Sequence, residues 1–416
     1  MNTCPDAGDA ADAGDDGGGG GGEATLREVI AALAPMQRRA GESGEREAAD
    51  WIARRLADAG CPAVIEEEEF LDGYARVIGR LAAASTAAGA TALLSRRARR
   101  LASAAAAAVT LAVADDISNG PRVFRRATSP RKTTWNVVGR CGDERAQRTL
   151  VLLAHHDAAP TGKIFDDRLQ TWFGERFPGV LERIDTSLPL WWTMLGAPAL
   201  VAVGAARGRR GMLGAGLATS ALGVAAFADI ACSPIVPGAS DNLTAVAVLV
   251  AIAERLASDP IPGLRVLLAS CGAEEVIQGG IYGFGRRHFP ELDQERTWFL
   301  NLETLGSPKL ILLEGEGPVI MEDYTDRDFR DLIGRVAQRA GVPMRRGMRA
   351  RNSTDAVLPS RAGYPTATLA SMNRYKALAH YHQMSDTPEN VDYGTVRQAL
   401  VVTEAVAREL ATSPWL

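Results

Sequence analysis

A chain of 416 residues can bury a large core, either as one α/β domain with insertions or as two or three smaller domains. Its formal net charge of -4 shows no basic bias, so nothing in the composition indicates a nucleic-acid partner. The five cysteines stand singly, without zinc-knuckle spacing or a disulfide framework, and are expected to be small buried side chains.

The first 24 residues predict a disordered tail. Their sequence, MNTCPDAGDAADAGDDGGGGGGEA, is dominated by Gly, Ala and Asp, which cannot build a core. It also lacks the basic start and the apolar run of a signal peptide. We therefore place the boundary of the folded domain at residue 24 and assign residues 25–416 to that domain.

From residue 25 onward, helical and strand patterns alternate. Apolar residues at three- and four-residue spacing predict helices at 25–37, 45–60, 244–258, 326–341 and 392–412. Short β-type runs predict strands at 62–70, 133–141, 148–157, 264–270, 296–305, 309–315 and 364–371. This alternation predicts an α/β fold in which helices sandwich a mixed, largely parallel sheet. Ligands of such sheets bind beyond the carboxyl ends of the strands.

Several predicted strand ends carry residues of the kinds that bind metals. The motifs, in chain order, are HHD (155–157), GASDN (238–242), GAEE (272–275), NLE (301–303) and YHQMSDT (381–387). Four of the five histidines lie in or next to two of these motifs. Histidine and carboxylate ligands suit zinc, and one carboxylate can bridge two ions because it has two oxygens. Adjacent glutamates can supply both a ligand and a separate proton carrier.

In this order, the five motifs resemble those of the M28 family of zinc peptidases, which includes di-zinc aminopeptidases. The resemblance covers roughly residues 24–416, apart from two insertions. It implies a zinc-exopeptidase fold of the phosphorylase/hydrolase-like type. It also implies a metal-dependent exopeptidase, foremost a di-zinc aminopeptidase that removes N-terminal residues from peptides through a metal-activated water.

The same resemblance implies a set of metal ligands. Two divalent ions, with Zn²⁺ as the expected metal, would be bound by His155, Asp241, Glu275, Glu303 and His382. Asp241 would bridge both ions. His155 and Glu303 would be the other ligands of the first ion, and Glu275 and His382 would be the other ligands of the second ion. His156 is the alternative to His155 as a ligand.

Three further residues are expected to serve catalysis: Glu274, Tyr381 and Asp157. Glu274 would be the general base. Tyr381 would donate a hydrogen bond to the developing oxyanion, and Asp157 would hydrogen-bond His155 and fix its tautomer. His380 is expected at the rim of the pocket.

The sequence departs from the family pattern at two positions. Glu303 stands where the family usually has aspartate, so this carboxylate reaches one methylene further. Ala356 stands where a histidine is common, which we interpret as a difference in specificity. Asp355 and Asp386 are expected to fix loops near the site.

Two insertions, at residues 73–133 and 163–236, are expected to form apolar helical hairpins with arginine-rich tips, RRARR and RGRR. Only residues 186–206 approach the ~20 apolar residues that span a bilayer. A Trp pair and many small residues are typical of a membrane hairpin, which would place the basic tips in the cytoplasm and the catalytic domain outside it. The alternative is a soluble helical cap over the active site or a partner subunit, with the catalytic domain in the cytoplasm.

Two other functions stay open at the level of the sequence. One is a single-zinc enzyme resembling glutaminyl-peptide cyclase, and the other is a non-catalytic M28-like membrane ectodomain. A metal count and a test of peptide hydrolysis distinguish the three. The expected partner is a peptide substrate, and the sequence does not indicate an oligomeric state.

Overall fold

The structure is a computed structural model that describes residues 19–412. The α-helices of this range are α1 (Gly19–Leu33), α2 (Ser43–Asp58), α3 (Tyr74–Leu94), α4 (Arg99–Ile117), α5 (Val123–Thr128), α6 (Arg168–Arg176), α7 (Pro178–Glu182), α8 (Trp191–Ala206), α9 (Arg210–Cys232), α10 (Thr244–Ser258), α11 (Gly279–His288), α12 (Arg327–Arg339), α13 (Val357–Arg361) and α14 (Tyr393–Thr412). The strands are β1 (Ala63–Leu71), β2 (Arg131–Gly142), β3 (Thr149–His155), β4 (Arg265–Cys271), β5 (Thr297–Glu303), β6 (Lys309–Glu316), β7 (Glu322–Asp323), β8 (Arg345–Ala350) and β9 (Thr366–Met372).

All nine strands form one mixed sheet in the order β1-β2-β4-β3-β5-β9-β6-β7, with β8 paired to β6. The four central strands β4, β3, β5 and β9 are parallel, and β2 and β6 flank them in antiparallel orientation. The predicted α/β fold with a mixed, largely parallel sheet is therefore confirmed.

Strand β3 shows why the sheet is buried on both faces. Every residue of β3 is buried, and alternate side chains enter different cores. Leu150 and Leu152 pack in the core that contains α1, α2, α10, α12 and α14. Val151 and Leu153 pack in a second core with Ile281 of α11. Helices on both faces leave the carboxyl edge of the parallel strands as the place for a site.

Helix α11 and strand β8 are among the elements that the sequence patterns missed. Helix α11 has the sequence GGIYGFGRRH, whose glycines disfavour a helix. A Cβ atom at Gly283 would lie 2.3 Å from Cγ of Glu68, so the glycine lets α11 approach β1 closely. Strand β8, with the sequence RRGMRA, lacks an apolar run but pairs with β6.

The start of the folded region differs from the predicted boundary at residue 24. Helix α1 begins at Gly19, and residues 1–18 of the predicted tail lie outside the described residues. A Cβ atom at Gly22 would lie 3.1 Å from Nη2 of Arg255 and 3.6 Å from Cδ2 of Leu400. Gly22 therefore packs against α10 and α14, which the composition of the segment alone does not reveal.

The four long helices of the two insertions form a single bundle, which we call the four-helix bundle: α3, α4, α8 and α9. The hydroxyls of Ser85 and Ser220 are 2.7 Å apart, which joins α3 to α9. The Ser103 hydroxyl of α4 donates to the carbonyl of Ala202 in α8 at 2.8 Å. A Cβ atom at Gly216 would lie 2.8 Å from the Ala197 carbonyl oxygen, so small residues allow close helix contact.

A buried ion pair fastens the first insertion to the sheet. The Arg125 guanidinium donates to both oxygens of Asp116, at 2.8 and 2.7 Å, and both side chains are almost fully buried. Arg125 also donates to the carbonyls of Leu71, at 3.2 Å, and Val276, at 3.4 Å. The pair thus connects the base of the bundle to β1 and to the turn that carries the adjacent glutamates.

Candidate active site

The ends of two neighbouring parallel strands bring a histidine and a glutamate together. His155 ends β3 and Glu303 ends β5, which pairs with β3. The Nε2 atom of His155 lies 3.5 Å from Oε1 of Glu303 and 3.4 Å from Oδ1 of Asp241. Asp241 lies in the buried turn Ala239–Leu243 before α10. Residues 155, 241 and 303 therefore meet at the carboxyl edge of the sheet.

A second histidine faces the other oxygen of the same aspartate. The Nε2 atom of His382 lies 3.3 Å from Oδ2 of Asp241 and 3.1 Å from Oε2 of Glu275. Asp241 thus points one oxygen at each imidazole. The arrangement divides the five predicted ligands into two groups that share one carboxylate.

The unpaired polar atoms of the cluster fit a divalent metal. Of the seventeen buried side-chain atoms without a hydrogen-bond partner within residues 19–412, six belong to the predicted ligands: Nδ1 and Nε2 of His155, Nδ1 and Nε2 of His382, Oδ2 of Asp241 and Oε1 of Glu275. Buried polar atoms are normally paired, so such a cluster needs an explanation. Ligand atoms of His155, Asp241 and Glu275 all lie within 4.8 Å of one another. Imidazole nitrogens and carboxylate oxygens are the ligands that zinc prefers.

The electrostatics of the cluster favour a cation. Burial acts to raise the pKa of Asp241, but His155 and His382 lower it below its usual range. Burial also acts to lower the pKa of His382, yet Glu275 and Asp241 raise it to about 10. The carboxylates therefore stabilise positive charge at this place, as they would stabilise a bound metal ion.

Asp157 fixes the position of the adjacent glutamates. Its two carboxylate oxygens accept hydrogen bonds from the backbone N–H groups of Glu274, at 2.9 Å, and Glu275, at 3.0 Å. Its Oδ1 atom also lies 3.4 Å from Nδ1 of His155. The sequence predicted the partnership with His155 but missed the contacts with the glutamates, which link the ends of β3 and β4.

The two glutamates have different surroundings. Glu275 faces His382, whereas Oε2 of Glu274 lies 4.0 Å from Nε2 of His155. The other oxygen of Glu274, Oε1, accepts a hydrogen bond from Nε2 of Gln278 at 3.0 Å. Burial raises the pKa of the Glu274 carboxyl well above its usual range. A carboxylate with a raised pKa is a stronger proton acceptor.

The remaining histidines lie outside the cluster. Nδ1 of His156 contacts the Ser270 hydroxyl at 2.9 Å, and burial lowers the His156 pKa to about 4. Nδ1 of His380 contacts the Ser385 hydroxyl at 2.8 Å. The Tyr381 ring stacks on His382, with ring centroids 3.8 Å apart. His155, rather than His156, thus faces the carboxylates, and the role of the Tyr381 hydroxyl stays a prediction.

Arg38 is a residue that the sequence motifs missed. It is fully buried and donates to the carbonyls of Leu33, His156 and Pro237 at 2.7 to 2.8 Å. Burial lowers its pKa to about 10. A Cβ atom at Gly238 (φ +59°) would lie 2.7 Å from Nη2 of Arg38, so only glycine fits there. Arg38 joins the end of β3 to the turn that carries Asp241.

Asp386 orders the same turn from the other side. It is buried and accepts hydrogen bonds from the backbone N–H groups of Ser240, at 2.7 Å, and Asp241, at 3.1 Å. Burial raises its pKa to about 7. These contacts fix the backbone that presents Asp241, in line with the loop-fixing role that the sequence suggested.

The buried histidine and carboxylate cluster lies at the carboxyl edge of a mixed α/β sheet, and together with the family match that follows it indicates a metallopeptidase, which is a hydrolase. Residues 220–407 match Peptidase family M28, so the resemblance found in the motifs is confirmed. The matched range includes the GASDN, GAEE, NLE and YHQMSDT motifs, and His155 precedes it. The imidazole and carboxylate groups of the site are suited to a divalent metal such as zinc.

Several solved structures share the fold. An aminopeptidase from Aneurinibacillus sp. strain AM-1 is 13% identical with a TM-score of 0.54, covering 94% of this chain and 94% of its own. BSAP, a zinc aminopeptidase from Bacillus subtilis, is 12% identical with a TM-score of 0.54, covering 95% and 96%. Glutaminyl cyclase from Bacteroides thetaiotaomicron is 11% identical with a TM-score of 0.54, covering 93% and 97%. At these identities the likeness shows the fold alone. No curated protein sequence matches the chain.

Proposed function

We propose that the protein is a di-zinc aminopeptidase that releases N-terminal residues from peptides. The observation that carries this proposal is the position of Asp241, whose two oxygens face two different histidines at 3.4 and 3.3 Å. A carboxylate placed between two imidazoles is suited to bridge two ions.

The residues divide into two metal-binding groups. His155 and Glu303 would hold one ion, Glu275 and His382 the other, and Asp241 would be shared. Bound zinc ions supply Lewis acidity toward a peptide carbonyl and lower the pKa of a water molecule.

Glu274 would hold and move the proton during hydrolysis. Gln278 occupies Oε1 of Glu274, which leaves Oε2 directed toward His155. We assign Oε2 as the atom that accepts a proton and later returns it to the leaving amine. Asp157 keeps this glutamate in place through its backbone N–H group.

Metal analysis combined with a peptide panel tests the catalytic proposal. We expect about two zinc ions per chain and hydrolysis of peptides with a free amino terminus but not of N-blocked ones. The variant His382→Ala should lose one ion and activity, and the matched variant His380→Ala should keep both ions. One ion in the wild type with cyclisation of N-terminal glutamine would support the cyclase alternative. Two bound ions without turnover of any peptide would support the alternative of a non-catalytic ectodomain.

We also propose that the four-helix bundle attaches the protein to a membrane, with the catalytic domain on the extracytoplasmic side. Helices α3 and α9 are long and apolar enough to cross a membrane, and α8 is a shorter apolar helix. Large apolar side chains of the bundle face outward: Leu94, Leu101, Leu111 and Leu222 are each at least 71% exposed. An outer surface of this kind is typical of contact with lipid.

Charged residues are confined to the two ends of the bundle. The sequence has no Asp, Glu, Lys or Arg at 81–95, 101–114, 191–206 or 211–228. At a rise of about 1.5 Å per residue these runs are about 21 to 27 Å long, close to the ~30 Å of a hydrocarbon layer. A Cβ atom at Gly208 would lie 3.2 Å from Nη1 of Arg99, so both arginine-rich tips lie at one end. The basic end would face the cytoplasm.

Membrane attachment is tested with charges on the outer face of the bundle. We expect the wild type to sediment with membranes and to be released by detergent. A Leu111→Glu/Leu222→Glu variant should lose much of this attachment, because each buried charge costs about 3 kcal/mol in a bilayer. The control Val401→Glu places a charge at an exposed position of α14, outside the bundle, and that variant should still sediment. Recovery of the wild type in the soluble fraction would instead favour the soluble cap.

A further inference from the structure

The metal centre touches the second insertion through one aromatic side chain, Phe165. Phe165 ends the short helix Lys163–Phe165, between β3 and α6. Its ring meets the His382 ring edge-on, with centroids 4.5 Å apart and planes at 70°. Its ring also lies 5.9 Å from that of Tyr381. An insertion residue therefore packs directly on a proposed metal ligand.

His382 depends on such packing more than His155 does. A metal-binding histidine usually donates its second N–H to a carboxylate or carbonyl, which fixes the ring. The Asp157 carboxylate lies 3.4 Å from Nδ1 of His155, close enough to orient that ring electrostatically, although the two atoms form no hydrogen bond. Nδ1 of His382 is buried and has no hydrogen-bond partner within residues 19–412.

Phe165 is held at both sides. Its carbonyl accepts a hydrogen bond from Nε2 of Gln383 at 3.0 Å, which ties it to the segment that carries His382. The backbone N–H of Lys163 donates to Oδ2 of Asp229 in α9 at 2.8 Å. A Cβ atom at Gly162 would lie 2.8 Å from Cγ1 of Ile230, so the chain passes close against the base of α9.

The same ring belongs to the apolar core at the base of the four-helix bundle. Phe165 packs against a core that includes Phe227 and Ile230 of α9, together with Tyr74 and Trp191. The Tyr74 ring lies 6.0 Å from that of Phe227 and 6.3 Å from that of Trp191. Continuous side-chain packing thus leads from the bundle through Phe165 to His382.

We propose that Phe165 is a positioning residue that orients the His382 imidazole for the second metal ion and links the four-helix bundle to that half of the centre. The proposal rests on the di-zinc function. It predicts that loss of the Phe165 contact lowers the metal affinity of the site that contains His382. The metal affinity of the site formed by His155 and Glu303 should stay unchanged.

The test measures zinc affinity for each ion in the full-length protein by competition with a chromophoric chelator. Phe165→Ala should lower the affinity for the second zinc ion by about tenfold or more, which is the effect typical of losing a group that orients a ligand. The affinity for the first ion should not change. The control Phe177→Ala removes a half-exposed ring that packs on Phe173 and Trp172, and it should bind both ions like the wild type. Phe165→Leu restores apolar volume and should recover most of the affinity.

Three results would overturn the proposal. The first is a Phe165→Ala variant whose zinc affinities equal those of the wild type. The second is an equal loss of affinity for both ions in that variant. The third is a Phe165→Leu variant that loses as much affinity for the second ion as Phe165→Ala does. A wild-type protein that binds only one ion would instead contradict the di-zinc function, so the two failures are distinguishable. Thermal unfolding of each variant, measured in parallel, identifies a general loss of stability, which would lower the affinity for both ions together.

Discussion

Replacing Glu274 with glutamine is expected to lower kcat by about 10²- to 10⁴-fold, the usual contribution of a general base. Glutamine has nearly the shape of glutamate and can still accept the hydrogen bond from Gln278 at Oε1. It cannot take up a proton at the atom that faces His155. The five proposed ligands are untouched, so the variant should keep both metal ions.

Steady-state kinetics and metal analysis on the same preparation decide this prediction. Glu275→Gln is the matched variant, because it changes the neighbouring carboxylate that lies 3.1 Å from His382. It should lose metal as well as activity. Full activity in Glu274→Gln would show that another group carries the proton. Loss of metal in that variant would show that Glu274 is a ligand.

Replacing Asp116 with alanine is expected to destabilise the protein by about 3–5 kcal/mol, because it leaves the buried Arg125 guanidinium without its counter-charge. Both side chains of this pair are at most 1% exposed. The change should also lower activity, because Arg125 contacts the Val276 carbonyl next to Glu275. Urea unfolding in detergent measures the loss of stability.

Two controls accompany this measurement. Glu69→Ala breaks the exposed pair between Arg131 and Glu69, whose side chains are 71% and 66% exposed, and should cost about 1 kcal/mol or less. The double variant Asp116→Leu/Arg125→Met removes both charges and should recover much of the stability. A loss below about 1 kcal/mol in Asp116→Ala would mean that the guanidinium finds water or another partner.

The sequence revealed the sheet and the ends of its strands for a physical reason. Central strands such as β3 are buried on both faces, so they appear as continuous apolar runs. Parallel strands end at one edge, so the residues that follow them, such as His155 and Glu303, are expected to converge. Local patterns of apolar and polar residues contain this information.

Other parts of the site depend on contacts that leave no local pattern. Arg38 binds carbonyls more than a hundred residues away, and nothing around it in the sequence distinguishes it from a surface arginine. Helix α11 was missed because its glycines serve close packing rather than flexibility. The packing of the two insertions into one bundle also depends on tertiary contacts, and so does the contact of Phe165 with His382.

The order of the elements along the chain has a consequence for biosynthesis. The bundle is complete once residue 232 has been made, whereas the proposed metal centre also needs His382, which follows 150 residues later. A chain leaving the ribosome can therefore assemble its bundle while the peptidase centre still lacks a ligand. Under the proposed function, hydrolytic activity requires His382 and therefore cannot precede the synthesis of the bundle.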